Sequence, residues 1–256
     1  MKYLLQIVLT LTLLAVSGCG QQGDVEADQN NEDVEADQSN EEEQDRGSLT
    51  TDPVFTDLLR SVSENTIISS RDPSISMQFN SSLRYLGGQK FVLYGVADAE
   101  QHFFVETTAD NKIKSLYWIQ FEAYLPDNSH QFDYEDSPAR LKLNDYEFYL
   151  DTGAVLVPAD RVSSSNDGSD RSLVAQFLES KGYAYPNDFV WARLVYLPDP
   201  SRRKELMMIV IENLETLGLT APDLFEDGKE TQAWPEAEKN FLERIRKNLT
   251  LNPLQN

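Results

Sequence analysis

Cysteine occurs once in these 256 residues, at Cys19, and histidine only twice, at His102 and His130. A lone thiol excludes an internal disulfide, so the fold must be held by burial rather than by cross-links. Neither histidine lies in a His-Glu-x-x-His pattern, and a zinc site would need both of them gathered with carboxylates by the fold. Bases are scarce as well: 22 Lys and Arg stand against 43 Asp and Glu, a formal net charge of −21. That balance gives no support to a nucleic-acid footprint, which would need clustered Lys and Arg.

Motifs of covalent catalysis are missing or incomplete. There is no Gly-x-Ser-x-Gly, and the one Ser-x-x-Lys, Ser201 to Lys204, precedes a strand-like run with no Lys-Thr-Gly elsewhere, unlike the penicillin-binding enzymes. Residues 198–204 read instead as a hairpin loop with an exposed basic tip. The loop "SSSNDGSD" at 163–170 puts Ser163 and Val174 where an EF-hand needs acidic ligands, so it reads as a turn that delivers a helix cap. No metal and no cofactor are expected.

What is present begins with "MKYLLQIVLTLTLLAVSGC": one positive charge at Lys2, then an apolar stretch shorter than the ~20 residues of a membrane span, ending in small residues. Val16-Ser17-Gly18-Cys19 resembles the lipobox of bacterial lipoproteins. The resemblance implies that residues 1–18 are a signal peptide and that Cys19 becomes the acylated first residue of the mature protein. It further implies a membrane partner reached through that covalent lipid, since several acyl chains anchor stably where one does not. Gly20, rather than Asp, follows the cysteine. In a Gram-negative cell that implies the outer membrane, facing the periplasm; in a Gram-positive cell, the outer face of the plasma membrane.

Residues 19–48 form a polar tether. "DVEADQNNE" at 24–32 is followed at once by "DVEADQSNE" at 33–41, differing only at Asn30 and Ser39. Two nine-residue copies with almost no apolar content are too short and too polar to stack into a solenoid, and the segment is expected to be a disordered, solvated spacer. Eleven of the 43 acids and two of the 22 bases precede residue 49, which leaves thirty-two acids against twenty bases in the remainder.

Residues 49–256 are long enough for a single globular domain. Asp52-Pro53 predicts a helix start, with Val54, Phe55, Leu58, Leu59 and Val62 on one face. Strands are predicted over 90–97, 100–107, 112–125, 140–143 and 146–150, as an antiparallel meander. A helix is expected over 169–182, then strands over 188–197 and 204–212, the latter apolar on both faces and hence central. A helix over about 235–249 closes the chain, with Ala237, Phe241, Ile245 and Leu249 as its buried stripe. The order predicts an α+β domain with helices packed on an antiparallel sheet.

Three groups of residues are candidates for function. His102 alternates with Glu100, Phe104 and Glu106, as on a solvated strand face. His130 lies in an acidic loop with Asp127, Asp133, Glu135 and Asp136. Along 112–125, Ile113, Tyr117, Ile119, Phe121, Ala123 and Leu125 form a core face, while Trp118, Gln120, Glu122 and Tyr124 share the other and combine aromatic platforms with an amide and a carboxylate. Such a set suits a glycan or an envelope protein partner if it is exposed, and belongs to the core if helices cover it. The expected function is therefore a non-catalytic, lipid-anchored envelope protein acting by binding or assembly. The alternative is an envelope hydrolase that pairs Glu122 with an acid of the 127–136 loop.

Overall fold

The computed structural model describes residues 50–157 and 168–254. The lipobox, Cys19, the acidic repeats and most of the 163–170 loop lie outside them. Two antiparallel sheets carry the architecture. The smaller has the order β1-β2-β3-β13, from Ser61–Ser63, Thr66–Ser69, Ile75–Phe79 and Leu249–Pro253. The larger has seven strands in the order β4-β5-β6-β10-β9-β8-β7. In chain order these are β4 Arg84–Leu93, β5 Ala97–Thr107, β6 Ile113–Tyr124, β7 Ala139–Leu143, β8 Tyr146–Leu156, β9 Asp188–Tyr196 and β10 Lys204–Asn213.

The seven strands are two meanders, β4 to β6 and β7 to β10, joined where β10 pairs with β6. This places β10 in the middle, as expected from its two apolar faces. Helix α1 (Asp170–Ser180) starts at Ser169, whose side chain accepts from the Ser172 N–H, and packs on one face through Val174, Phe177 and Leu178. The other face meets the small sheet and α3 (Trp234–Asn248), which buries Phe241 and Ile245 and runs straight into β13. Between β10 and α3 lie a 3-10 turn, a one-turn helix α2 (Ala221–Leu224) and the two-residue strands β11 (Phe225–Glu226) and β12 (Lys229–Glu230). Arg244 of α3 holds Glu212 of β10 with three contacts of 2.6–2.9 Å. The α+β reading of mainly antiparallel sheet with packed helices stands.

Three expectations need correction. First, residues 52–62 are not helical. The Thr51 N–H donates to the Val92 carbonyl, and Val54 exchanges two backbone hydrogen bonds with Lys90, so this segment extends the edge of β4. Asp57 has a φ of 54°, which interrupts any helix, and the segment goes on to enter β1. Sheet pairing supplies the backbone partners that a helix would have made internally. Second, residues 61–79 contain three strands that no expectation covered, although Ile75, Met77 and Phe79 are buried in strict alternation. Third, Ile113 belongs to the α1 side. The register slips between Glu106 and Thr107, so Thr107 faces Ile113 and the extra residue turns Ile113 to the opposite face.

Gly88 brings the segment that wraps β4 close to the sheet, and Gly87 lies against Phe177 of α1. Gly87 has a φ of 130° at a break in the β4–β5 register, open to glycine but not to side-chain-bearing residues. A Cβ at Gly88 would meet the Gln101 carbonyl at 2.5 Å, Leu58 at 2.9 Å and His102 at 3.0 Å. Gly88→Ala is therefore expected to destabilise the protein by about 1–3 kcal/mol through overpacking, measured as a lowered urea midpoint with an unchanged slope.

Candidate functional site

Along β6, alternation does place Trp118, Gln120, Glu122 and Tyr124 on one face, but that face is interior. They are 3, 0, 4 and 9% exposed. Trp118 joins the cluster beneath α1 with Val174 and Phe177, and Tyr124 stacks on Phe132 at 4.4 Å between ring centroids. The accessible contact surface expected of these four residues is thus a buried layer. Apolar burial by α1 and by the loop after β6 outweighs the cost of the polar groups because those groups bond to one another.

A row of amides crosses three strands there. Gln89 Nε2 donates to Gln101 Oε1 at 2.7 Å, Gln101 Nε2 to Gln120 Oε1 at 2.7 Å, and Gln120 Nε2 to Glu122 Oε2 at 2.8 Å. The Trp118 indole N–H adds a bond to Gln120 Oε1 at 3.1 Å. At the end of the row Glu122 lies directly across the β6–β10 ladder from Glu205, and both are buried. Glu205 accepts from the Tyr134 hydroxyl at 2.7 Å, whereas Glu122 Oε1 is buried without a hydrogen-bond partner.

Burial comes first in pushing the Glu122 carboxyl well above the usual range, and the neighbouring Glu205 and Asp170 add to it. Burial likewise raises Glu205 to about 7, against the opposing pull of Tyr134 and Arg193. The partner acid expected from the 127–136 loop is therefore not the one found. That loop contributes a tyrosine, and the second carboxylate comes from β10. Two of its acids are engaged elsewhere, since Arg202 reaches Asp133 at 3.3 Å and Glu135 at 3.1 Å, and His130 Nδ1 contacts Asn128 Oδ1 at 2.7 Å. The basic tip at 201–204 is half-buried rather than free, since Arg203 donates to the Leu125 carbonyl and Lys204 pairs with Asp72. Ser201 bonds Asp199, so Ser201 and Lys204 do not act together.

The opposite face carries an open cleft of about 750 Å³, within the range of small-molecule sites. The cross-strand register builds its floor in two rows, Lys90–Glu100–Phe121 and Val92–Asp98–Ala123–Lys204. Phe91, Ala99 and Glu122 also border it, from strand positions whose side chains turn toward α1. The segment that wraps β4 and the turn between β2 and β3 form the walls, through Leu59, Arg60, Arg71 and Asp72.

Glu100 fixes one wall to the floor. Its carboxylate accepts the Leu59 and Arg60 N–H groups at 2.5 and 3.0 Å and contacts His102 Nε2 at 3.0 Å, while His102 Nδ1 meets the Tyr85 hydroxyl at 2.9 Å. Burial acts to raise the Glu100 carboxyl, but His102, the Leu59 N–H and Arg60 together hold it below the usual range. His102, expected on a solvated face, is fully buried because this network supplies both ring nitrogens with partners. Arg60 lies over the Phe121 ring at 4.2 Å. Its Nε and Nη2 make only long contacts, 3.4 Å each, to the Ser69 hydroxyl and the Asp72 carbonyl. Desolvation lowers its pKa; Glu100 opposes this and the nearby Arg71 reinforces it.

Among the described residues no group of three His, Cys, Asp or Glu side chains is placed to hold a metal, and no helix is long and apolar enough to cross a membrane. Neither a family model, nor a curated protein, nor a solved structure matches the chain. The cleft was not legible as a site in the sequence because its walls come from residues 51–72 and its floor from four strands; the alternation of Lys90 with Val92 and of Asp98 with Glu100 was the only local trace.

The acid pair makes stability pH-dependent in a stated direction. Glu122 and Glu205 hold their protons in the folded state beyond the ordinary 4.5, so their contribution is full below about 4.5 and is lost at higher pH, for Glu205 as pH rises through about 7. Glu100, held low, acts oppositely and loses its contribution only in acid. Urea denaturation at pH 5 and pH 8 should show lower stability at pH 8. Glu205→Gln should recover on the order of 3 kcal/mol there and flatten the profile; an unchanged pH slope in that variant would refute the assignment.

Proposed function

We propose that this protein is a non-catalytic binding module of the bacterial cell envelope, carried on a membrane by lipid on Cys19 and receiving its ligand in the cleft between the wrapping segment and the large sheet. The observation that carries the binding reading is the open cleft of about 750 Å³ on a floor of four hydrogen-bonded strands. A site built on a sheet keeps its geometry without a ligand, which reduces the ordering cost of binding. The anchoring reading rests on Val16-Ser17-Gly18-Cys19 and on the absence of any other cysteine. With Gly20 after the cysteine, the same reading places the protein at the outer membrane in a Gram-negative cell, where the acidic spacer would hold the domain within reach of an envelope protein or a glycan.

The buried acid pair favours a second reading, an envelope hydrolase using Glu122, because a carboxyl held protonated near neutral pH suits a general acid. Its surroundings weigh against that role: Glu122 borders the cleft, but its side chain is buried on the α1 face of β6 with Trp118 and Gln120, and Glu205 does not line the cleft.

Two experiments test these readings. Cys19→Ser should move the protein from membrane to soluble fractions, and mass spectrometry of the wild-type amino terminus should find acyl chains on Cys19; wild type without them refutes the anchor. For the cleft, glycan fragments and short peptides are screened by thermal shift against wild type and against Ala123→Trp and Val92→Trp, each of which fills the floor. A ligand that loses about tenfold or more in affinity in both variants, and is recovered chemically unchanged, supports the module. Ligands indifferent to both variants place the site elsewhere, and turnover abolished by Glu122→Gln installs the hydrolase.

A further inference from the structure

Charges of both signs line the cleft, and most are satisfied within the protein. Glu100 is occupied by two backbone N–H groups and His102, Lys204 by Asp72, and Lys90 by the Asp57 carbonyl. Two sets are left over. On the wall, Arg60 has no ion pair among the described residues, and the exposed Arg71 side chain has neither ion pair nor hydrogen bond there. The two guanidinium groups are close enough to disfavour one another. On the floor and rim, the exposed carboxylates of Asp98 and Asp52 likewise make no ion pair or side-chain hydrogen bond among the described residues and border the same space.

Arg60 is prepared for an anion. The Phe121 ring fixes its plane, its Nε side is spent on Ser69 and Asp72, and its remaining Nη edge is free for the parallel pair of hydrogen bonds that a carboxylate accepts. Glu100 and Asp72 act on Arg60 from a distance, but no carboxylate among the described residues forms an ion pair with it, so a bound oxyanion would supply the direct contact that this partly desolvated wall lacks. A free phosphate or sulfate suits the cleft less well, because Asp52, Asp72, Asp98 and Glu100 border it and repel a multiply charged anion. A ligand that carries one negative and one positive group meets both leftover sets at once.

We infer that the cleft binds a zwitterionic, amino-acid- or short-peptide-like ligand, its carboxylate held between Arg60 and Arg71 and its ammonium group turned toward Asp98. This rests on the cleft being the binding site and specifies what it binds. Asp98 lies in the floor row with Val92, Ala123 and Lys204, so the two ends of the ligand would span from wall to floor across the cleft rather than along it.

The test is calorimetric titration of the full chain in detergent with tri-alanine bearing free termini, its carboxyl amide, its N-acetyl derivative and inorganic phosphate. Tri-alanine should bind, amidation and acetylation should each weaken it by about tenfold or more, and phosphate should bind more weakly than tri-alanine. Arg71→Gln, at an exposed position that leaves folding intact, should cost about tenfold with tri-alanine and nothing further with the amide, because both changes remove the same contact. Arg60→Lys should behave likewise, and Asp98→Asn should weaken tri-alanine but leave the acetylated peptide unaffected. Full affinity of the amide, indifference to Arg71→Gln, stronger binding of phosphate, or no tri-alanine binding at millimolar concentration overturns the inference. If some other ligand from the screen remains sensitive to Ala123→Trp while these results fail, the cleft stands as a binding site and only the zwitterion falls. If no ligand is sensitive to Ala123→Trp, the cleft itself is not the site.

Discussion

The ladder between β6 and β10 is the contact on which the rest of the fold depends. Nine residue pairs, from Lys204↔Ala123 to Glu212↔Ser115, join a three-stranded meander to a four-stranded one. Without them each half would expose an apolar strand on both faces. β10 suits the central place because Leu206, Met208 and Val210 enter the core beneath the small sheet while Met207, Ile209 and Ile211 enter the core beneath α1. One strand therefore supplies two cores, and the register of this one pairing sets the side-chain rows on both faces.

The same register produces a conflict at one end of the ladder. It sets Glu122 against Glu205 in a buried layer, where two ionised carboxylates would repel and neither could be solvated. The protein meets this by keeping protons on the pair, by a Tyr134 hydrogen bond, and by a chain of glutamine amides that delivers a donor to Glu122. A layer of this kind specifies one arrangement of β4, β5 and β6, since a slip of one residue would leave the amides unpaired as well as reversing the faces. The cost is a dependence of stability on pH that an apolar layer would not have.

On the other face the edge of β4 is the element that needed cover. Residues 50–60 cover it, bonding to the edge at Thr51 and Val54, placing Phe55 against Phe177 on one side and tying Leu59 and Arg60 to Glu100 on the other. An uncovered edge invites pairing with another chain; here the cover also becomes the wall of the cleft. Glu100 is thus a structural residue in the cleft, since its hydrogen bonds fix where the Arg60 side chain begins.

Much of this was written locally. The strands expected over 100–107, 112–125, 188–197 and 204–212, the Ser169 cap of α1, the apolar stripe of α3 and the central place of β10 follow from period and capping chemistry, which need only neighbouring residues. So do the lipobox resemblance at Cys19 and the acidic repeats. The strand expected over 90–97, by contrast, runs across the turn between β4 and β5. Residues 52–62 were misread because Asp52-Pro53 is a sound helix start in isolation, whereas the backbone of that segment finds its partners some forty residues away on β4 and β5. The alternation along β6 correctly grouped Trp118, Gln120, Glu122 and Tyr124, but period states only that residues share a face. Whether water or a helix lies over that face depends on α1 and on Phe132, which the fold brings from elsewhere in the chain. Tertiary packing alone decided that Glu205 rather than a loop acid meets Glu122, and that Arg60 and Arg71 share a wall, because those distances belong to strand pairing and not to sequence separation.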